Sequence, residues 1–347
     1  MSTLQDVAQR AGVSLGTAST ALNGRASVRA STRERVEKAA AELGYRKDAA
    51  ASVLAGKQRR STAVRKQMSL GYVESPGATD TADSWKVFSA EARRLGYDSE
   101  QIKLGSYRST KRALEHLRFL NVQGLYLSSP GAVPNRDWLD FGWGHFSVVK
   151  GFRAWPELTV PVIRHNAFDY MGVTRDHVIA EGYQRIAVIL TRSTVPYDDQ
   201  ARLGALLAYS QLEPDVKVDI EWFVLDEPCK TAPLPLKLRQ WLRKIKPEVV
   251  IAFPGSTIYL LRSSGFRIPE DFAFAAVIQD GKLAAHMGTA GCDRRAEAFP
   301  RRAVELLHRM VQVGDRGLHE EPVEAVVEPQ WQEGASLPPR VRGIPKR

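Results

Sequence analysis

Apolar positions in the first 45 residues recur with helical spacing. Leu4, Val7, Ala8 and Ala11 fall at i, i+3, i+4 and i+7, one apolar face of a helix. Thr3 followed by Asp6 reads as a capping box, so this helix starts near Leu4. Gly12 ends it and can take the positive φ of a tight turn. Ser14 caps a second helix, with Thr17 three residues on and Ala18, Ala21 and Leu22 on its inner face. A third helix is expected from Ser31, where Ser31 and Glu34 make another capping box; its core stripe is Val36, Ala39, Ala40 and Leu43, and Gly44 ends it. Two short helices joined by a three- or four-residue turn containing glycine form a helix-turn-helix, whose second helix enters the DNA major groove N-terminus first.

From about Met68 the pattern changes. Strands are expected at Met68–Val73, Tyr97–Leu104, Gly124–Leu127, Phe146–Val149, Val160–Ile163, Ile186–Leu190, Trp222–Leu225, Val249–Phe253 and Phe272–Val277. Helices fall between them at Asp83–Leu95, Thr110–Leu120, Tyr170–Glu181, Asp199–Leu212, Leu234–Ile245 and Thr257–Ser264, and a long one follows from about Arg294 to Val313. Alternating β and α elements argue for parallel sheets covered by helices, and the length allows two lobes. The fold class is therefore an all-α helix-turn-helix headpiece plus an α/β body of two doubly wound parallel-sheet lobes. The boundaries expected are 1–47 for the helix-turn-helix domain, 48–67 for a hinge helix and basic linker, 68–337 for the two-lobed effector-binding and dimerisation domain, and 338–347 for a disordered basic tail.

Charge sharpens the reading of the head. Residues 1–67 hold 13 Lys/Arg against 5 Asp/Glu, whereas the rest holds 36 against 34. A basic head on a near-neutral body points to a polyanionic partner, with a basic tail kept for solubility as the plainer alternative. Apolar residues make up 44% and charged residues 25%, the balance of a soluble globular protein. No apolar run reaches membrane-spanning length, and Asp6, Gln9 and Arg10 interrupt any leader-like stretch, so a cytoplasmic, nucleoid-associated protein without membrane contact is expected. Cys229 and Cys292 lie far apart and outside any metal-type spacing, which reads as two reduced thiols. No Walker loop, His-Glu-x-x-His or Gly-x-Ser-x-Gly appears, so no enzymatic role, metal or cofactor is expected.

Residues 3–58 resemble the headpiece of the lac repressor (LacI/GalR) family. The resemblance rests on Thr3-Leu4-Gln5-Asp6-Val7-Ala8 with Ala11-Gly12-Val13-Ser14, on Thr17, Ser19, Leu22 and Asn23, on Thr32 to Val36, and on Glu42-Leu43-Gly44-Tyr45. Leu54-Ala55-Gly56-Lys57-Gln58 is similar to the family's hinge. The resemblance implies that Leu15, Gly16 and Thr20 occupy base-reading positions. Leu15 would meet a thymine methyl and Thr20 would hydrogen-bond a base edge, while Gly16 permits close approach. Ser14, Thr17, Ser19 and Asn23 would meet phosphates, although capping and helix surface account for them equally simply. Leu54 stands where the family's leucine wedges into the minor groove, against the alternative that it packs in the core. Lys57, Arg59, Arg60, Arg65 and Lys66 form a basic strap that adds salt-sensitive affinity.

In the body the resemblance continues through Val160-Pro161-Val162 and Asn166, Glu181 to Ala187, Arg202-Leu203-Gly204, Gly265 to Asp271, and Ala303 to Leu307. It implies a fold similar to periplasmic sugar-binding proteins, with effector in the cleft. The cleft positions depart from the family. His165-Asn166 stands for Asp-Asn, Pro254-Gly255 for Asn-Asp, and Ile278-Gln279 for Asp-Asp. Arg202 alone matches a ligand-contacting position, with a surface arginine on a helix as its plainer reading. Trp138, Phe141, Trp143, Phe146, Phe152 and Trp155 form an aromatic-rich stretch read first as core, then as dimer surface or effector pocket. The function expected is a homodimeric, sequence-specific transcription regulator, most commonly a repressor in this family, on a pseudo-palindromic double-stranded DNA operator. Small-molecule control would act through a degenerate cleft. The alternative is a periplasmic-type ligand-binding protein without a regulatory role.

Overall fold

The computed structural model describes residues 4–22, 28–43, 67–74, 81–128, 136–152, 157–192, 196–212, 219–225, 235–279 and 288–340. The chain divides into two compact units, Met1–Lys66 and Gln67–Arg347.

The first unit contains α1 (Leu4–Ala11), α2 (Leu15–Leu22) and α3 (Ala30–Glu42). Their stripes meet in one small core of Val7, Ala8, Ala11, Ala18, Ala21, Val36, Ala39 and Ala40. Six of these eight are alanines, so the helices approach closely but bury little apolar area. The α1–α2 turn is closed by two backbone bonds, Gly12 N–H to Gln9 O (3.2 Å) and Val13 N–H to Ala8 O (3.0 Å). That pair is a Schellman motif, and it places Gly12 at φ 63°, where a side chain would be strained. Helix α3 corrects one expectation. Arg29 O accepts from Thr32 N–H and Arg33 N–H, both at 3.0 Å, so the backbone closes the first turn ahead of Ser31. Arg29 is then the N-cap, with no side-chain cap, and Ser31 lies inside the helix rather than capping it with Glu34.

The second unit holds two six-stranded sheets. In the first, β1 (Ser69–Val73), β2 (Asp98–Ile102), β3 (Val122–Leu127), β4 (Ser147–Gly151), β5 (Val162–His165) and β11 (Glu324–Val327) lie in the order β11-β5-β4-β3-β1-β2, all parallel. In the second, β6 (Arg185–Thr191), β7 (Asp219–Leu225), β8 (Val249–Phe253), β9 (Ala273–Ala276), β10 (Ala290–Cys292) and β12 (Trp331–Gln332) lie in the order β12-β10-β9-β8-β6-β7. Only the β10–β12 pair is antiparallel. Helices cover both faces of each sheet. The first carries α4 (Thr81–Arg94) and α10 (Ala298–Val313) over one core and α5 (Thr110–Phe119) over the other. The second carries α6 (Ala167–Ala180) and α7 (Pro196–Leu212) opposite α8 (Leu236–Ile245) and α9 (Thr257–Ser263). The chain passes between lobes three times: after β5, after β10 and after β11.

Trp138, Phe141, Trp143 and Phe146 are buried together under the first sheet, with the Trp143 indole N–H donating to Trp138 O at 2.9 Å. They are core. Residues 338–340 are fastened to the second lobe, although the composition suggested a disordered tail from Pro338. The Tyr183 hydroxyl donates to Pro338 O (2.6 Å), and Arg340 pairs with Glu248 (2.6 Å). Burial opposes the Glu248 charge, but the Gln184 amide and the Arg340 guanidinium outweigh it and hold the carboxyl down to about 2. Among the described residues no helix is long and apolar enough to cross a membrane.

Leu307 of α10 is fully buried and packs on the first sheet beside Gly124. Leu307→Ala is expected to lower unfolding free energy by about 3 kcal/mol. Urea titration checks this; a loss under about 1 kcal/mol would remove α10 from the role of sheet cover.

Candidate nucleic-acid interface and ligand cleft

The buried alanines of α2, Ala18 and Ala21, fix which way that helix turns. The opposite side is solvent-facing. Leu15 is 51% exposed, a large apolar side chain with no core to enter, and Gly16 is exposed beside it. Ser14 Oγ accepts from Thr17 N–H at 3.1 Å and lies 2.8 Å from Thr17 Oγ1. The expected cap is present and is reinforced by the Thr17 hydroxyl. Whichever hydroxyl donates within that pair, one O–H of the two is left to donate elsewhere. The Thr20 hydroxyl donates to Gly16 O at 2.7 Å, so its proton turns back onto the helix. This was not anticipated when Thr20 was read as a hydrogen-bonding base reader. The structure thus brings Ser14, Leu15, Gly16, Thr17 and Thr20 onto the first turns of one short helix. The Ser19 side chain, Asn23, Leu54 and the basic strap lie outside the described residues.

In the body, ligand crevices of open α/β sheets form outside the C-terminal strand ends. His165 ends β5, Pro254-Gly255 follows β8, and Ile278-Gln279 follows β9. His165 is buried, with Nε2 2.8 Å from Arg294 O and its ring edge-on to Tyr170 and Phe299. Burial pushes its pKa down to about 4, and the nearby Arg294 and Arg202 cations push the same way. The ring is therefore neutral at pH 7, with the proton on Nε2, where it donates to the Arg294 carbonyl. Phe152 stands beside it in the left-handed region at φ 66°, stacked on Phe299 with centroids 5.0 Å apart.

The remaining cleft positions are occupied by their own backbone. Asn166 caps α6 by accepting from Phe168 N–H (3.2 Å) and donates to Asp169. Gln279 is buried and donates to Thr289 O at 2.6 Å. A Cβ at Gly255 would lie 2.6 Å from Ile278 O, so the two loops close on each other with no space for a larger residue. Arg202 is the exception. It is 4% exposed, which removes the surface reading, and its guanidinium lies 3.6 Å over the Phe253 ring. Nη1 pairs with Asp199 at 3.1 Å, while the buried Nε has no hydrogen-bond partner among the described residues. Burial lowers its pKa against the pull of Asp198 and Asp199. Phe253, Arg294 and Phe299 complete this cluster. No periodicity or motif points to them, because their roles arise only where three strand ends meet.

Residues 3–48 match the family model described as "Bacterial regulatory proteins, lacI family". The lactose operon repressor of Escherichia coli (strain K12) is 30% identical over 230 residues, 63% of this chain and 60% of that protein. The aligned part thus spans less than two thirds of that relative's length. Among solved structures, a CelR transcriptional regulator–cellobiose complex superposes with TM-score 0.55 at 23% identity, covering 97% of this chain and 100% of that one. The lac repressor dimer bound to operator and the anti-inducer ONPF gives TM-score 0.55 at 19% identity, covering 97% and 99%. A periplasmic binding protein/LacI transcriptional regulator from Alkaliphilus metalliredigens QYMF, complexed with D-xylulofuranose, gives 0.53 at 14% identity, covering 77% and 99%. These likenesses show the fold: a helical headpiece and a two-lobed body of the periplasmic-binding type. The chain is thus similar to lacI-family bacterial regulatory proteins, in sequence over its headpiece and in fold over its length.

The depressed pKa of His165 makes stability pH-dependent. Its folded pKa lies below its unfolded value near 6.5, so the contribution is intact above pH 6.5 and is lost as pH falls toward 4. Wild type is expected to lose on the order of 3 kcal/mol more than His165→Gln between pH 7 and pH 4. Urea unfolding at both pH values checks this, and parallel losses in the two proteins would refute it.

Proposed function

We propose that this protein is a sequence-specific DNA-binding transcription regulator that acts as a repressor and grips a pseudo-palindromic operator as a homodimer. The observation that carries the reading is the Ser14-capped second helix, exposed on one side, within a segment that matches the lacI family model. Leu15, Gly16 and Thr20 are assigned to base edges. Ser14, Thr17, Ser19 and Asn23 are assigned to phosphates; the spare hydroxyl proton of the Ser14–Thr17 pair suits a phosphate oxygen. Leu54 is assigned to the minor-groove wedge, and the basic strap to sequence-independent affinity. Two-fold symmetry of the dimer matches the two half-sites. The protein is read as non-enzymatic and as working on the nucleoid in the cytoplasm. A ligand-binding role alone leaves the headpiece without a purpose and is not favoured.

A gel shift of the full-length protein against a random-sequence duplex pool tests this reading, with one enriched palindromic sequence expected. Leu54→Ala should weaken that specific complex at least tenfold and spare nonspecific binding; unchanged operator affinity removes the wedge.

Any effector is assigned to the cleft at Arg202, whose buried Nε lacks a hydrogen-bond partner among the described residues. Neutral, internally bonded groups at 165–166, 254–255 and 278–279 leave sugar hydroxyls without carboxylate acceptors at those positions, and Asp199 is already paired with Arg202. Calorimetric titration with common hexoses and pentoses should give only heats of dilution; tight binding of any of them would refute this account of the cleft.

A further inference from the structure

The eight residues of α2, Leu15 to Leu22, include no charged or amide side chain. Bidentate pairing of Arg with guanine, or of Asn and Gln with adenine, is therefore unavailable from this helix. The one hydroxyl at a base-reading position donates inward, from Thr20 to Gly16 O at 2.7 Å. With its proton committed, Thr20 Oγ1 can only accept, and the apolar surface offered to a base edge is the half-exposed isobutyl group of Leu15, the methyl of Thr20 and the bare backbone at Gly16.

Gly16 carries the second argument. It is helical, and a Cβ built there meets nothing nearer than Ser14 Oγ at 3.8 Å. Packing would accept alanine, which suits a helix interior better than glycine does. The headpiece fold gives no reason for the glycine. A missing side chain on the exposed surface does let the helix sit deeper against whatever it faces. Among major-groove features, the thymine C5-methyl is the apolar one, and small aliphatic side chains at short range are what recognise it.

Resting on the regulator reading above, we propose that each operator half-site is read through thymine methyl groups, contacted by Leu15 and Thr20, with Gly16 setting the depth of approach. Half-sites are then A·T-rich at the positions under the start of α2, and guanine is not selected there.

The test uses full-length protein and the sequence it enriches from a random duplex pool. Each half-site thymine is then replaced by deoxyuridine, which removes only the methyl. Binding should weaken about fourfold for each contacted methyl, the worth of one buried carbon group. One of these losses should vanish in Leu15→Ala. The other should vanish in Thr20→Ser, which keeps the hydroxyl and its bond to Gly16 O. Gly16→Ala should fold at least as stably as wild type yet bind the operator more weakly. Enrichment of a sequence whose affinity ignores uracil throughout would overturn this inference and leave the regulator reading standing. Enrichment of no sequence at all would overturn both.

Discussion

A parallel sheet has to be covered on both faces, because its crossover helices and its near-continuous apolar strands leave no face fit for water. In this body β1 and β4 are buried at every position, and exposure is greatest on edge strands such as β2 and β7. That requirement places helices between most successive strands, returns those strands in the same direction, and gathers the outgoing loops of each sheet on one side. His165 leaves the C-terminal end of a strand in the first sheet, and Phe253 to Gly255 and Gln279 leave the C-terminal ends of strands in the second. Their proximity to Arg202 and Arg294 follows from the covering requirement rather than from any local signal.

Once gathered and buried, polar groups must be hydrogen-bonded, since an unpaired one costs about 1–3 kcal/mol. The chain meets that demand from within. Asn166 is committed to the α6 cap, Gln279 to Thr289 O and His165 to Arg294 O. Gly255 and Ile278 are in contact through backbone. A polyhydroxylated ligand would have to displace bonds already made, and would find no carboxylate in exchange at these positions. Arg202 differs because stacking on Phe253 and pairing with Asp199 still leave its Nε without a partner.

The three headpiece helices and most body elements were legible because each carries a full period of apolar residues. Val7, Ala8 and Ala11 recur at helical spacing, and β6 and β8 contain the unbroken apolar runs Ile186–Leu190 and Val249–Phe253. Strands β10, β11 and β12 were not anticipated. They have three, four and two residues, too few to show alternation, and exist because a neighbouring strand offers free backbone groups. The start of α3 was misplaced for a related reason. A Ser-x-x-Glu pattern marks a cap only if the backbone turns there, and Arg29 O had already closed the turn. On the candidate site, the identities of Leu15, Gly16 and Thr20 were readable, but the inward bond of Thr20 was not. Residue type specifies that a hydroxyl can donate, not toward which partner.

Headpiece and cleft share one physical pattern. At both, polar side chains that would select a partner by direct hydrogen bonding are replaced by apolar groups or turned onto their own backbone. The fold tolerates this because it is held by apolar burial at other positions: the alanine core of the headpiece and the four clusters around the two sheets. Selectivity depends on a handful of side chains outside those cores, so it can change without disturbing architecture. With few directional contacts left, the discrimination proposed for α2 would come from shape and close approach. Such contacts are individually weak and gain effect only when two headpieces act on one duplex. Under the proposed function, the pairing of two copies serves specificity as well as affinity, since a single headpiece with two methyl contacts would separate an operator from bulk DNA by only about an order of magnitude.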